Sequence, residues 1–332
     1  MISVIIPMYN EEENVNSTLD AVSEILGKSY SDYEIIAVDD GSYDKTPALL
    51  DKRASADKRI RVLRHENNKG MGNALRTGFK AAKGDVIVTM DADLSYDPVY
   101  IPILVRETEK ADIVIGSQYM PAGSTENIPI HRLILSRLAN KLVGFSLKEN
   151  FNTITGVFRA YKKDVIDSIN LESDGTEINP EILVKANAMG YSIREVPVKL
   201  KGRERGKSKI RIKSAILSHL LFAFNERPMI LFGIIGAILC TLGIMSGVYL
   251  FTLYLKQELD PTRPLMTFML LTILSGIQIL SFGFIATQVT MLRKEIYITQ
   301  RDLKIIMSSL SDNSEKPENT GYDAGEDLGV EE

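Results

Sequence analysis

Asp85-Val-Ile-Val-Thr-Met-Asp91-Ala-Asp93-Leu-Ser95-Tyr-Asp97-Pro-Val99 is the stretch that decides the fold. Val86 to Met90 is an uncharged strand core, after which the chain delivers two carboxylates spaced i and i+2 before Pro98 opens a helix. In an open α/β sheet, ligands sit outside the carboxyl ends of the strands. Two carboxylates at such an exit suit a hard divalent cation that also grips a diphosphate. The alternative is an acidic strand-to-helix turn in which Asp97 merely caps the helix.

The flanking sequence repeats this strand-then-helix rhythm. Short runs rich in Val and Ile predict strands at Ile2–Met8, Tyr33–Asp39, Ile60–Arg64, Val86–Met90 and Ile113–Gly116. Helical runs fall between them, near Glu12–Leu26, Lys45–Ala56, Gly72–Ala82 and Val99–Lys110. The expected fold is therefore α/β, a doubly wound Rossmann-like sheet. Neither G-x-G-x-x-G nor G-x-x-x-x-G-K-[ST] follows the first strand, which disfavours a dinucleotide oxidoreductase and a P-loop NTPase. Carboxylates gather again at the second strand's exit, Val38-Asp39-Asp40-Gly41-Ser42-Tyr43-Asp44. One of them could hydrogen-bond a base or ribose, or Asp44 could simply cap the next helix. Asn67 to Asn73 reads as a turn into a helix N-terminus, a place favourable for an anion.

The net charge of −4 is unevenly spread over the 332 residues. Residues 311–332 hold eight acids against Lys316, so the remainder is slightly basic and the tail is expected to be disordered. Cys240 is the sole cysteine, which excludes an intrachain disulfide, and His65, His131 and His219 lack ligand spacing and read as structural. The N-terminus has no basic n-region and reads as a strand.

Met229 to Leu255 and Leu265 to Leu292 contain no charge, and each is long enough as a helix, at roughly 40 Å, to cross a bilayer. Lys207, Lys209, Arg211, Lys213 and Arg227 precede the first, and Arg293, Lys294 and Arg301 follow the second. The short linker carries only Lys256 and Arg263, offset by Glu258 and Asp260. By the positive-inside rule, the expectation is a multi-pass protein of the cell membrane with its catalytic domain and both termini cytoplasmic. The expected organisation is a soluble domain over 1–206, an amphipathic juxtamembrane segment over 207–227, a helical hairpin over 228–292, a cytoplasmic helix over 293–310 and the acidic tail over 311–332.

Several motifs in order carry a resemblance. Pro7-Met-Tyr9-Asn10-Glu11, Val38-Asp39-Asp40-Gly-Ser, the turn and helix from Asn68 to Gly78, and Asp91-Ala92-Asp93-Leu94 together resemble inverting family-2 glycosyltransferases of the nucleotide-diphospho-sugar-binding GT-A fold. Gly116-Ser-Gln118-Tyr119, Arg132, Thr155-Gly156-Val-Phe158-Arg159-Ala160, Glu195-Val-Pro197 and Arg203-x-x-Gly206-x-Ser208-Lys209 point to the subgroup of polyprenyl-phosphate sugar synthases. The resemblance covers about residues 1–225. Two positions depart from it: Ser95 stands where the family often has Gln, and Gln118 where it usually has Arg.

The resemblance implies a metal-dependent, inverting transfer of a sugar from a GDP-mannose or UDP-glucose type of donor to a polyprenyl (dolichyl) phosphate. Asp91 and Asp93, with Ser95 as a poorer third ligand, would hold Mg2+ or Mn2+. Pro7, Tyr9, Glu11, Val38, Asp40, Ala92 and Gln118 would line the donor site, while Arg132, Arg203 and Lys209 would hold the acceptor phosphate or donor diphosphate. The implied partners are the nucleotide-sugar, the lipid phosphate and the bilayer, with room for a homo-oligomer and no nucleic acid. Rival readings are a transferase to a hydroxyl acceptor, with Asp174, Glu177 or Glu181 as base, and an inactive membrane scaffold. A processive polysaccharide synthase of the Gln-x-x-Arg-Trp kind is disfavoured, because the chain has no Trp.

Overall fold

The computed structural model describes residues 1–144, 151–203, 224, 226–258, 260 and 264–314. Its strands are β1 (Ile2–Met8), β2 (Tyr33–Asp39), β3 (Ile60–Arg64), β4 (Val86–Thr89), β5 (Ile113–Ser117), β6 (Ser124–Glu126), β7 (Arg159–Lys162), β8 (Ile193–Pro197) and β9 (Lys199–Lys201). Seven of them form one sheet in the order β3-β2-β1-β4-β7-β5-β8, and β6 pairs with β9 in a small second sheet. β1 is parallel to both β2 and β4, so the strand order reverses between β1 and β4. That reversal opens the crevice where such sheets bind ligands. β7 runs antiparallel between β4 and β5, which makes the sheet mixed.

Helices α1 (Val15–Ser29), α2 (Thr46–Ala56), α3 (Met71–Ala81), α4 (Ile101–Glu107), α5 (Ile130–Gly144), α6 (Lys163–Ser168) and α7 (Ile178–Ala188) belong to the same domain. The expected Val99–Lys110 helix is shorter, a 3-10 turn at Pro98–Tyr100 leading into α4. Strand side chains alternate between two faces. Val4 and Ile6 of β1 share one core with Leu19 and Val22 of α1. Ile5, between them, joins the other core with Leu75 and Phe79 of α3 and Ile182 of α7. Both faces are covered, which is why the strands are rich in Val and Ile on both faces. Each such fully buried side chain contributes about 1.5–3 kcal/mol.

Two further helices, α8 (Pro228–Leu255) and α9 (Pro264–Ser314), pack side by side and are long and apolar enough to cross a membrane. Gly236 on α8 faces Gly276 on α9, and Gly243 faces Ile273, so the pair is antiparallel. A Cβ on Gly236 would lie 2.9 Å from the Gly276 carbonyl oxygen, so this backbone approach requires glycine. The helix runs on without interruption through the expected boundary at 292/293 and reaches Ser314. Its far half docks on the α/β domain. Lys185 Nζ of α7 lies 5.2 Å from the Tyr297 ring, Arg301 donates to the Met189 carbonyl, and Lys304 donates to the Asp167 carbonyl at 2.6 Å. The juxtamembrane segment, apart from 224, 226 and 227, and the tail beyond 314 lie outside the described residues.

Candidate active site

The β4 exit carries Asp91, Ala92 and Asp93. Thr18 of α1 donates to the Ala92 carbonyl at 2.5 Å, and the Ser95 N–H donates to Asp93 Oδ1 at 3.0 Å. Between them Leu94 adopts φ 56°. A left-handed residue with a Cβ costs about 1–2 kcal/mol, so the surroundings hold this turn against local preference. Behind it the buried Tyr96 stacks on Phe158 at 5.1 Å and donates to Gln118 Oε1 at 2.9 Å.

The neighbouring β1 exit is tied to the β2 exit. The Asn10 N–H donates to Ser42 Oγ, the Tyr43 N–H donates to Asn10 Oδ1, and the Glu11 N–H donates to Thr46 Oγ1 at 2.8 Å. Glu11 Oε2 accepts from Asn14 Nδ2 at 2.6 Å, which fixes the carboxylate. The Tyr9 ring meets Tyr43 edge-on at 6.1 Å.

A third element closes the cluster from far along the chain. The Lys201 N–H donates to the Ser95 carbonyl at 2.8 Å, and the Gly202 N–H donates to the Glu126 carbonyl at 2.7 Å. A Cβ on Gly202 would run into the Asn127 carbonyl oxygen, so only glycine passes. Arg203 follows at once. Its Nε donates to Asp93 Oδ2 at 2.8 Å and its Nη2 to Glu11 Oε1 at 2.6 Å.

Glu11 and Asp93 thus share one guanidinium, with Asp91 close enough to feel its charge. Burial pushes Asp91 up to about 8, and the negative charges of Asp93 and Glu11 add to this while Arg203 opposes it. Burial would lower Arg203, but Asp93 and Glu11 outweigh it and raise it. The cluster has an excess of negative charge, which a dication would relieve. Among the described residues no three His, Cys, Asp or Glu side chains form a metal cage. The donor set fits Mg2+ or Mn2+ instead through Asp91 and Asp93, the arrangement used where substrate phosphates complete the shell.

Other expected site residues fare unevenly. Pro7 sits at the β1 end in register with Val38. Val38's side chain is wholly buried in the core under α3, so it has only backbone to offer a ligand. Asp40 is buried too, accepting from His65 Nδ1 at 2.7 Å and from the N–H groups of Lys69 and Gly70 at 2.9 and 2.8 Å. It organises the 67–70 turn and keeps about one acceptor position in reserve. Gln118 has turned its carbonyl inward to Tyr96 and Thr153. Ser95 takes part through its backbone. Arg132 lies on α5 with its side chain outside the described residues, as is all of Lys209.

The anion site expected at the α3 N-terminus is corrected. The N–H groups of Gly72 and Asn73 donate to the Asp174 carbonyl at 2.7 and 3.3 Å, so the chain itself caps that end. The rival bases are similarly committed. Asp174 pairs with Arg76, Glu177 accepts from the Gly175 N–H, and buried Glu181 pairs with Lys185 at 2.6 Å while accepting from the N–H groups of Glu172 and Ser173. Arg76 holds Asp174 below the ordinary carboxylate range, which makes it a poor base. Thr18 and Gly202, which hold Asp93's turn and Arg203's path, were not anticipated; a lone Thr and a lone Gly carry no readable spacing.

A family model described as glycosyl transferase family 2 matches residues 3–169. A dolichol-phosphate mannosyltransferase of Pyrococcus furiosus is 36% identical over 218 residues, which cover 64% of this chain and 60% of that protein. A polyprenol monophosphomannose synthase of Mycolicibacterium smegmatis is 37% identical over 215 residues, covering 62% and 80% respectively. This chain therefore spans less than two thirds of the length of the Pyrococcus relative. In fold it is similar to glucosyl-3-phosphoglycerate synthase from Mycobacterium tuberculosis, solved with Mn2+, uridine diphosphate and phosphoglyceric acid, at TM-score 0.53 and 21% identity over 68% of this chain and 78% of that one. With its expected motifs in order and half its length matched, the chain belongs to glycosyl transferase family 2.

Proposed function

We propose that this protein transfers a hexose, mannose by likeness to its relatives, from a nucleoside-diphosphate sugar to a polyprenyl phosphate at a membrane surface. The observation that carries this reading is the gathering of Glu11, Asp91, Asp93 and Arg203 at the strand-order reversal, where a diphosphate would lie. The Pyrococcus and Mycolicibacterium relatives, and an undecaprenyl-phosphate mannosyltransferase of Micrococcus luteus at 35% identity, name the acceptor class and the sugar.

Asp91 and Asp93 would hold Mg2+ or Mn2+, which when bound neutralises charge on the leaving diphosphate. The M. tuberculosis synthase of similar fold was solved with either metal alongside uridine diphosphate. Tyr9 and the remaining acceptor position of Asp40 would meet the nucleoside, and Arg132 and Lys209 would bind the lipid phosphate. A phosphate monoester is already largely ionised at neutral pH, its second pKa being about 6. An oxygen of that phosphate attacks the anomeric carbon as the bond to the diphosphate breaks, inverting the centre without a protein base. The commitment of Asp174, Glu177 and Glu181 to structural partners favours this over a hydroxyl acceptor.

We read α8 and α9 as a transmembrane hairpin with both chain termini on the cytoplasmic side. The docking of Tyr297, Arg301 and Lys304 on the catalytic domain supports a common side for the domain and the far end of α9. The test is to incubate membranes bearing the protein with labelled GDP- and UDP-sugars and polyprenyl phosphate, then extract lipid. The expected result is one labelled sugar in the lipid phase, lost in excess EDTA. Label appearing only on a hydroxyl acceptor, or none with the phosphate supplied, overturns the reading.

A further inference from the structure

We propose that Arg203 is an internal counter-cation that competes with the divalent ion for Asp93, which makes ion binding dependent on the donor. This rests on the reading of Asp91 and Asp93 as the ion site. Arg203 is not a bystander at its rim. Its Nε donates to Asp93 Oδ2 at 2.8 Å and its Nη2 to Glu11 Oε1 at 2.6 Å, with the side chain only 17% exposed. Asp93 Oδ1 already accepts from the Ser95 N–H, so both oxygens of Asp93 are engaged.

A guanidinium cannot shed its proton, so it cannot make way for a second cation by neutralising. It has to move, or the ion has to bind against its charge at contact distance. Its position is enforced by the hydrogen bonds of Lys201 to Ser95 and of Gly202 to Glu126, together with the absence of room for a side chain at Gly202. The donor's diphosphate resolves the conflict, because it brings negative charge that an Arg fork binds well in two-point fashion. Arg203 can then exchange Asp93 for a phosphate as the ion arrives. Ion and nucleotide consequently bind with positive coupling, and by linkage each tightens the other by the same factor.

The test measures Mn2+ binding to the detergent-solubilised full chain by electron paramagnetic resonance, with and without GDP or UDP. Arg203→Gln is expected to bind Mn2+ without nucleotide about tenfold more tightly than wild type, and to lose most of the nucleotide-induced gain. Gly202→Ala, which dislodges Arg203 without altering charge, should shift the affinity in the same direction. Lys201→Gln removes a nearby positive charge whose ammonium lies 3.9 Å from Asp97, and should leave Mn2+ affinity unchanged. Equal or weaker Mn2+ binding in a folded Arg203→Gln overturns the competition. So does an equal gain in Lys201→Gln, because general charge would then account for it. If wild type and variants all fail to bind Mn2+ even with nucleotide, the ion-site reading itself falls and takes this inference with it.

Discussion

Two buried charge clusters in this domain obey opposite rules. On α7, Glu181 faces Lys185 at 2.6 Å and accepts two further backbone hydrogen bonds, so every charge has its match. Burial would raise Glu181, but Lys185 and Ser173 win and hold it below the ordinary carboxylate range. At the β4 exit Glu11 and Asp93 share Arg203 while Asp91 beside them is driven upward. A balanced cluster contributes to stability, whereas an unbalanced one is held in place by the rest of the fold and is poised to bind. Size and burial do not separate the two; the charge count does.

The strongest way to break the comparison is to unbalance the structural cluster. Glu181→Ala leaves Lys185 buried and unpaired and should cost about 3–5 kcal/mol of stability in denaturant unfolding. Because Glu181 is depressed in the folded protein, that difference should be full above its unfolded value of about 4.3 and fade as pH falls through the lower folded value. A difference that is flat with pH from neutral to strongly acid conditions would remove the pair from the account.

Asp93→Ala should do the converse, leaving the melting temperature near that of wild type while lowering turnover about 10²–10³-fold, the scale of losing one aimed electrostatic group. Comparable unfolding of this variant would make Asp93 a structural residue. Gly202→Ala should lower turnover about tenfold by misdirecting Arg203, since small misplacements at a reacting site are expensive. Full activity would mean that the 202–203 path is loose. The smallest effect is expected from Thr18→Val, which removes the hydroxyl that holds the Ala92 carbonyl. About 1 kcal/mol should be lost in unfolding, with only a modest fall in turnover.

The sequence carried the first half of the domain well because β1, β2 and β3 are short runs rich in Val and Ile, and their observed limits match the expected ones. β7 escaped notice because Arg-Ala-Tyr-Lys is short and polar, and Arg159 is nevertheless wholly buried, donating to the carbonyls of Ile154 and Asn179. α7 has no polar face to announce it, since Asn179, Glu181 and Lys185 are buried along with its apolar residues. The pair Asp91 and Asp93 was legible from spacing on one strand exit. The resemblance put Arg203 in the same site, but its direct pairing with Asp93 was not legible, because the two lie 110 residues apart in sequence and meet through the contacts of β9 with the 95–97 turn. Asp40 and Val38 show what motif reading leaves out: Asp40's carboxylate also organises the 67–70 turn, and Val38's side chain belongs to the core.

The unbroken α9 gives the molecule a ruler with a registration mark. Tyr297, Arg301 and Lys304 are spaced by four and three, so they share one helical azimuth, and all three are seated on the catalytic domain. A single residue inserted between Leu292 and Tyr297 would swing that azimuth by about 100° and lift it about 1.5 Å, unseating the domain. Seven inserted residues would nearly restore the azimuth yet shift the domain roughly 10 Å along the helix axis. Orientation and elevation are therefore independently adjustable in the length of one helix. Under the proposed transfer to a lipid phosphate, that elevation would set whether the headgroup meets the sugar.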